Sequence, residues 1–572
     1  MLKNFLHQLF PSRVRGAKAE EPPDAALQHA IKEFNASNLA GAYAIAEPIV
    51  RCDPQYHAAW NLLGAVELGW GNNEAATRHF ERAIAVQPGS APYLSNCGEA
   101  FRRAGRIDDA VEYCRAAVEA DPRDAPAHHN LALALTAMGE VEGAYVAFQS
   151  ALTIRPDFMS ARSGFLFLLC HHPGIDAANV LAEHRRWDEL HARALVPMPA
   201  PRALRADSER PIRVGYVSGD FWRHALSYFI EPLLTHHDPA SFEVFCYHNS
   251  RKADEVTERL RACVSHWRDI AGMTDEAVAQ QVSRDGIDIL VDLAGHTAGN
   301  RLGVFARKPA PVQVSYVGYL NTTGLHSMDF RITDAYADPP ATSDALYTER
   351  LVRMPHSQWC YRPPSDTPEV NALPALKRGT VTYGSLHNLA KINRSVIELW
   401  ARLLLRHPNS ELLIGGIPAE AVRRRLREQF SESGIDSARL QLIGKCSFDD
   451  YWRLYHRIDI SLDAFPYNGA TTTCESLWMG VPVVTLAGSH AAARSGVSLL
   501  STAGLPELIA DSPQRYVDIA VELARDMQRL TGLRATLRAT MQRSPLMDEA
   551  GHARAFERLL YGMVGEETRT RT

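Results

Sequence analysis

The sequence predicts a helical solenoid followed by two doubly wound α/β lobes, a fold of the α plus α/β class. Three observations predict it. Proline recurs every 34 residues at Pro54, Pro88, Pro122 and Pro156. From Ile212 the texture changes to β-type runs alternating with helical ones, and from Val381 a second series of the same kind begins.

Other positions share the proline period. Gly71, Gly105 and Gly139 keep the same step, as do Ala42, Ala76, Ala110 and Ala144, and also Ala83, Ala117 and Ala151. Small residues at fixed positions let two helices approach closely, and proline ends the second helix of each pair. A 34-residue helix–turn–helix period is the tetratricopeptide signature, and WNLLG at Trp60–Gly64 adds to it. The array is expected over residues 23–205, with a degenerate first unit near Pro23 and a last helix pair beyond Pro156. Residues 1–22 are expected to be a basic, disordered tail. Such a stack has a concave groove suited to protein or peptide, although a plain spacer is the simpler alternative.

A linker, VPMPAPRALRADSERP, closes the helical region. In the first lobe, residues 206–378, the expected strands are IRVGYVS, FEVFCYH, IDILVDLAG, VQVSYVGY and FRITD, with DEVTERLRACVSHW helical between them. In the second, residues 379–562, they are VTYGSL, ELLIGG, RLQLIG, DISLDAF and GVPVVTL. SVIELWARLLLRHP and the long run from Leu505 to Met541 read as helical, and 563–572 as a tail. Strands alternating with helices imply parallel sheets covered on both faces, with ligands beyond the carboxyl ends of the strands.

Composition narrows the function. The net charge of −5 excludes bulk nucleic-acid binding. The nine cysteines form no CxxC pair and no zinc spacing, which fits a reduced, cytoplasmic compartment. No apolar run is long enough to span a bilayer. GxxxxGK[ST] is absent, which argues against a P-loop nucleotidase.

Five strand-end loops carry the candidate chemistry. In DAFPYNGATTTCESLWMGVPVVTL a strand and a glycine turn lead into a helix opening with Thr471, Thr472 and Thr473. Its unpaired first-turn N–H groups and dipole make an anion site, and Glu475 one turn in can accept from ribose hydroxyls. A helix cap and a solvated first-turn acid account for the same spacing equally well. In LHNLAKINRS, Lys391 at a strand–helix junction suits a diphosphate. Taken alone, it reads more simply as a surface lysine. In SGDFWRHALSYF, His224 and Asp220 follow a strand end, where histidine can act as base or guide. A capping Asp220 and a packed His224 are equally good readings. LAGHTAGNR, with His296 and Thr297 between glycines, and YVGYLNTTG are weaker. That all five occupy strand-end loops is the stronger observation.

Together the segments VGYVSGDFWRH, DLAGHTAGNR, PAPVQVSYVGY, LHNLAKI and NGATTTCESLWMGVPVVT resemble the protein O-linked N-acetylglucosamine transferase family, over about residues 23–562. The short array and minimal loop between lobes point to a bacterial member. The resemblance implies a GT-B-type pair of lobes, an inverting reaction, a UDP-linked N-acetylglucosamine donor, Ser/Thr acceptors held by the tetratricopeptide groove, and no metal or other cofactor. It places His224 near the acceptor hydroxyl and anomeric centre, Lys391 at the departing diphosphate, and Thr471 and Thr472 at the phosphates. It further places Glu475 at the ribose, Asn388 near ribose or base, Thr297 and Gly318 along the donor, and Cys446 where backbone reads the uracil edge.

Departures matter: Ala470 and Tyr451 stand where animal members carry histidine, and Leu320 where they carry proline. The TTTCESLWMGVP run also resembles the Spindly-type branch, whose plant members transfer fucose from GDP-fucose. Two alternatives therefore stay open, a GDP-fucose-dependent protein O-fucosyltransferase and a nucleotide-binding repeat scaffold without chemistry. The presence of both His224 and Lys391 argues against the scaffold.

Overall fold

The computed structural model describes residues 22–198 and 210–570. The chain divides into two compact units, residues 1–168 with 418–422, and the remainder. The predicted basic tail lies outside the described residues, apart from Pro22 at the start of the first described helix.

In the first unit, helices of equal length run in antiparallel pairs: Pro22–Asn35 with Leu39–Cys52, His57–Trp70 with Asn73–Val86, Ala91–Ala104 with Ile107–Ala120, and Ala125–Met138 with Val141–Ile154. The period explains the turns. Gly71, Gly105 and Gly139 each cap a first helix in the left-handed region, φ 85, 80 and 81°, where a side chain would be strained. Each second helix from Leu39–Cys52 onward stops two residues before its periodic proline. Small residues set the spacing within a pair: a Cβ added at Gly98 would lie 2.4 Å from the buried Cys114 sulfur.

The second unit contains two sheets in which every described strand pair is parallel. The first holds β1 (Ile212–Ser218), β2 (Phe242–His248), β3 (His266–Asp269), β4 (Ile289–Asp292), β5 (Val312–Tyr316), β6 (Phe330–Asp334) and β7 (Arg350–Met354), ordered β3-β2-β1-β4-β5-β6-β7. The second holds β8 (Val381–Ser385), β9 (Ser410–Ile417), β10 (Leu440–Gly444), β11 (Ile460–Leu462), β12 (Val483–Leu486) and β13 (Ile509–Ala510), ordered β10-β9-β8-β11-β12-β13. Both reverse direction once, between β1 and β4 and between β8 and β11. At such a switch point the two loops leaving the strand ends part and open a crevice. The central strands are largely buried runs, as parallel strands covered on both faces must be; Val214, Tyr216, Ile289, Leu290 and Val314 are fully enclosed.

The structure departs from the sequence reading at several places. The tail of DEVTERLRACVSHW is not helical. The helix is Glu255–Ala262, started by Asp254 in a capping box, and His266 and Trp267 open edge strand β3. The run from Leu505 to Met541 is broken by β13, and new helices start at Pro513, capped by Ser512, and at Met527, capped by Asp526. Short strands β3, β7 and β13 escape a reading based on apolar runs because they are brief or carry charged residues.

Domain limits also differ. The helix Ala177–His191, assigned to the array, belongs to the second compact unit. There His184 lies 2.8 Å from the Tyr319 hydroxyl, and Asp188 accepts from His326 at 2.8 Å. Residues 563–570 of the expected tail continue the helix Glu549–Thr570, with Met563 and Val564 buried, and 571–572 lie outside the described residues. That helix returns to the first lobe, where His552 lies 3.0 Å from the Tyr316 hydroxyl and Glu557 lies 3.0 Å from His237. Among the described residues, no helix is long and apolar enough to cross a membrane.

Candidate active site

The loops after β8 and β11 carry most of the second lobe's candidate residues, and they are tied together. Asn393 caps the helix Arg394–Arg406 by accepting the Val396 N–H at 3.1 Å, and its amide donates to the Phe465 carbonyl at 2.7 Å. Just before it, the 3-10 turn Leu389–Lys391 is capped by Asn388, whose carbonyl oxygen accepts the Ala390 N–H at 3.0 Å. Asn388 itself is exposed.

This geometry sends the Lys391 side chain across to the neighbouring loop. Its ammonium donates to the Asn468 carbonyl at 2.8 Å and stands 4.3 Å from the centre of the Tyr467 ring. Burial pushes its pKa down to about 8, against the pull of Asp463. Tyr467 stacks at 4.4 Å on His171.

Three residues beyond Asn468 the helix Thr471–Trp478 begins. Its N-cap is Ala470, which gives no side-chain cap bond, and among the described residues no side chain bonds the first-turn amides. Those N–H groups are the donors an anion would meet. The three threonines differ. Thr471 is half-buried, the Thr472 hydroxyl lies 2.7 Å from His387 Nδ1, and Thr473 turns inward to donate to the Gly469 carbonyl.

Glu475 is buried, and one carboxylate oxygen accepts from the hydroxyls of Tyr451 at 2.5 Å and Tyr455 at 3.0 Å. Burial raises its pKa to about 7, with the two hydroxyls partly opposing the shift. The sequence reading of a solvated first-turn acid is therefore corrected. Tyr451 is brought there by the helix Phe448–Leu454, which Ser447 caps. Cys446, just before that cap, is exposed.

The first lobe contributes the loops after β1, β4 and β5. The Asp220 carboxylate lies 3.8 Å from His224 Nδ1, and the same nitrogen accepts the Leu226 N–H at 3.3 Å. With Nδ1 accepting, the neutral ring carries its proton on Nε2 and presents a donor. His224 is 41% exposed, which corrects the reading of a packed histidine. Next to it, the Arg223 guanidinium lies 4.7 Å from the Phe448 ring, so this loop meets the second lobe.

After β4, Thr297 donates to the Ala294 carbonyl at 2.7 Å and is half-buried. His296 is a different matter. It is buried, Nε2 lies 2.8 Å from the Thr323 carbonyl, its ring meets that of His184 edge-on, and burial holds its pKa well below the ordinary value. These contacts enclose His296 within the first lobe. Gly318, after β5, lies against backbone: an added Cβ would fall 1.7 Å from the Leu293 carbonyl oxygen.

Sequence reasoning singled out Lys391, Thr471 and Thr472, but not the residues that hold them. Asn468, Tyr467, His387, Asp463 and Tyr455 all lie within or beside the quoted motifs. Polar residues next to a strand end were the available signal. Partners across the two loops lie about 80 residues apart in sequence, as for Thr472 and His387 with a separation of 85, whereas Tyr455 and Glu475 are separated by 20.

Comparisons with known proteins bear on the fold and the family. Two profiles for tetratricopeptide repeats match, one over residues 67–125 and the other over 101–164. A solved structure of a Thermobaculum terrenum O-GlcNAc transferase mutant superposes with a TM-score of 0.79 at 34% identity, covering 96% of this chain and 98% of that one. Two plant relatives are similar, each named a probable UDP-N-acetylglucosamine–peptide N-acetylglucosaminyltransferase SPINDLY. The one from Oryza sativa subsp. japonica is 42% identical over 419 residues, 72% of this chain and 45% of its own. The one from Arabidopsis thaliana is 43% identical over 412 residues, 71% and 45%. The chain thus spans less than half the length of these curated relatives. The profile for glycosyl transferase family 41 matches residues 190–361 and 371–555, which take in both parallel sheets and the loops at both switch points. With a repeat array ahead of two such lobes, the chain belongs to glycosyl transferase family 41.

Proposed function

We propose that the protein moves N-acetylglucosamine from UDP-N-acetylglucosamine to serine or threonine hydroxyls of proteins, with inversion at the anomeric carbon. One observation carries this reading: the Lys391 ammonium and the uncapped amides of the helix Thr471–Trp478 are drawn together through Asn468 at the β8/β11 switch point. A preorganised cation and oriented N–H groups stabilise the charge that develops on a leaving diphosphate. The plant relatives are named for a UDP-N-acetylglucosamine donor and a peptide acceptor, and the Thermobaculum protein for O-GlcNAc transfer, which supports this reading.

In this reading the acceptor oxygen forms the new bond at the anomeric carbon as the bond to the diphosphate oxygen breaks, and the hydroxyl proton leaves to solvent or to a base. Lys391, Thr471 and Thr472 take the diphosphate, while Glu475 and Asn388 face the nucleoside. Thr297, Gly318 and the Cys446 backbone line the donor. His224, with Nε2–H as donor, orients the reacting groups. The lysine and the helix terminus carry the phosphate charge without a metal ion. The tetratricopeptide groove recruits the acceptor, and the compartment is the cytoplasm.

The test is calorimetric titration with UDP and GDP in parallel, then mass spectrometry of an acceptor protein incubated with each nucleotide sugar. Addition of a hexosamine from the UDP donor is the expected result. Tighter GDP binding with deoxyhexose transfer would replace this reading with the fucosyl one. Nucleotide binding with donor hydrolysis no faster than in buffer would leave only a scaffold.

A further inference from the structure

The Thr472 hydroxyl has a built support behind it. His387, the second residue after β8, has a side chain only 2% exposed and sits between two oxygens. Nδ1 lies 2.7 Å from Thr472 Oγ1, and Nε2 lies 3.3 Å from Oδ1 of Asp463. Asp463 is completely buried and cannot swing away: Oδ1 accepts the N–H groups of Ala464 at 2.9 Å and Gly469 at 2.7 Å, and Oδ2 accepts the Thr485 hydroxyl at 2.6 Å. Gly469 leaves room for the set, since a Cβ there would lie 2.3 Å from both His387 Cε1 and Thr472 Oγ1.

We infer that His387, enclosed with its Nε2 edge facing the Asp463 carboxylate, is a positioning residue that decides whether Thr472 offers a proton or a lone pair to the diphosphate. The inference rests on the proposed function for the identity of the anion. The Asp463 carboxylate, 3.3 Å from Nε2 without a hydrogen bond between them, favours the proton there by charge alone, so Nδ1 is the nitrogen that changes role. In the neutral ring Nδ1 accepts the Thr472 hydroxyl hydrogen, and Thr472 turns lone pairs toward the anion. In the imidazolium Nδ1–H donates to Oγ1, and the Thr472 hydrogen is free to donate to a phosphate oxygen. Charge growing on the leaving group favours the second form, so donor binding draws a proton onto His387. The charged groups of the surrounding elements are Asp463 at the end of β11, Lys391 in the same loop as His387, and Glu475 on the helix of Thr472. The last two titrate in their own right, so the reading must come from differences between variants.

The experiment compares wild type with His387→Phe, Thr472→Val, the double variant and His387→Asn. Phenylalanine keeps the ring volume and removes both nitrogens. Asparagine supplies a fixed N–H donor that does not titrate. His387→Phe and Thr472→Val should each lower kcat by about 10- to 100-fold, with KM changed about threefold or less. The double variant should be no more than about threefold worse than the poorer single one. His387→Asn should recover part of the loss, and the protons taken up on UDP-N-acetylglucosamine binding should fall relative to wild type. That uptake is measured by calorimetry in buffers of different ionisation enthalpy. If His387→Phe fails to fold, the His387→Asn comparison decides alone. Multiplicative effects in the double variant, or equal proton uptake in His387→Asn and wild type, would overturn the inference. UDP in place of the donor gives the same difference without turnover. Wild type that binds UDP yet transfers no sugar therefore sinks the functional reading and leaves this one to be judged on proton uptake.

Discussion

The Lys391 ammonium donates to the backbone carbonyl of Asn468 at 2.8 Å, across 77 residues of sequence. That bond fixes the one cation of the LHNLAKI loop three residues from the start of the helix Thr471–Trp478. It also means that the charge is held by a neutral acceptor and a ring face, not by a carboxylate ion pair, so its field is available to a ligand.

Replacing Lys391 by alanine should leave the fold intact and lower turnover by about 10²- to 10³-fold, the worth of one charge-assisted contact to a developing anion. Burial holds the lysine below its ordinary pKa, so its charge costs folding stability at neutral pH, and a methionine there should melt no lower than wild type. The same shift sets an alkaline limb. In the free enzyme kcat/KM should fall as pH rises through about 8, because the ammonium is lost there. A bound diphosphate favours the charged form, so the limb in kcat should lie at higher pH. A kcat/KM flat to pH 10 would remove Lys391 from the phosphate site.

Glu475 gives a pH dependence of the opposite origin. Its carboxyl is raised to about 7 by burial, above the value it has in the unfolded chain. The folded state therefore binds more protons than the unfolded state between about pH 4.5 and 7, and this carboxylate costs stability as pH rises through that window. Glutamine can still accept from Tyr451 and Tyr455 and never ionises. Glu475→Gln should thus gain about 1–3 kcal/mol over wild type at pH 8 and nothing below pH 4.5, read from urea midpoints. Nucleotide affinity should fall in the same variant, because the carboxylate is lost to the ribose.

The Leu226 N–H occupies His224 Nδ1, which leaves Nε2–H as a donor. Glutamine can place an N–H near the Nε2 position. His224→Gln is expected to keep kcat within about 30-fold of wild type, whereas His224→Ala should lose about 10²-fold or more, the range for a positioned proton-transfer or donor group. Equal, deep losses in both would mean that the imidazole takes the acceptor's proton.

The order of elements was legible because it rests on local signals. The proline period reports helix pairs that repeat one packing problem, and IRVGYVS, FEVFCYH and FRITD coincide with β1, β2 and β6 because fully buried parallel strands are continuous apolar runs. Lys391 and the threonines were legible because strand–glycine–helix junctions are recognisable in sequence. The partners that hold them were not. Nothing local pairs His387 with Asp463, or Glu475 with two tyrosines 20 and 24 residues before it, since β-sheet order decides those meetings. The surroundings of His296 were hidden for the same cause: nothing local in a glycine-bearing strand-end loop announces that His184 and Thr323 pack against it.

Two glycines of the site should behave differently when alanine replaces them, and the contrast tests what each is for. At Gly318 the new methyl would lie 1.7 Å from the Leu293 carbonyl oxygen, which is backbone at the end of β4 and cannot rotate away. The loops after β4 and β5 would have to separate, so Gly318→Ala should destabilise the protein by about 3 kcal/mol or more, in the range of overpacking at a rigid contact. At Gly469 the methyl would meet the His387 ring and the Thr472 hydroxyl, which are side-chain ends and not backbone. Gly469→Ala should therefore cost about 1–2 kcal/mol of stability, yet reduce turnover about as much as His387→Phe, because the displaced ring and hydroxyl no longer meet at 2.7 Å. Thermal melts and donor turnover on the same preparations separate the two. If Gly469→Ala melted early and remained fully active, the His387–Thr472 contact would have no part in holding the diphosphate.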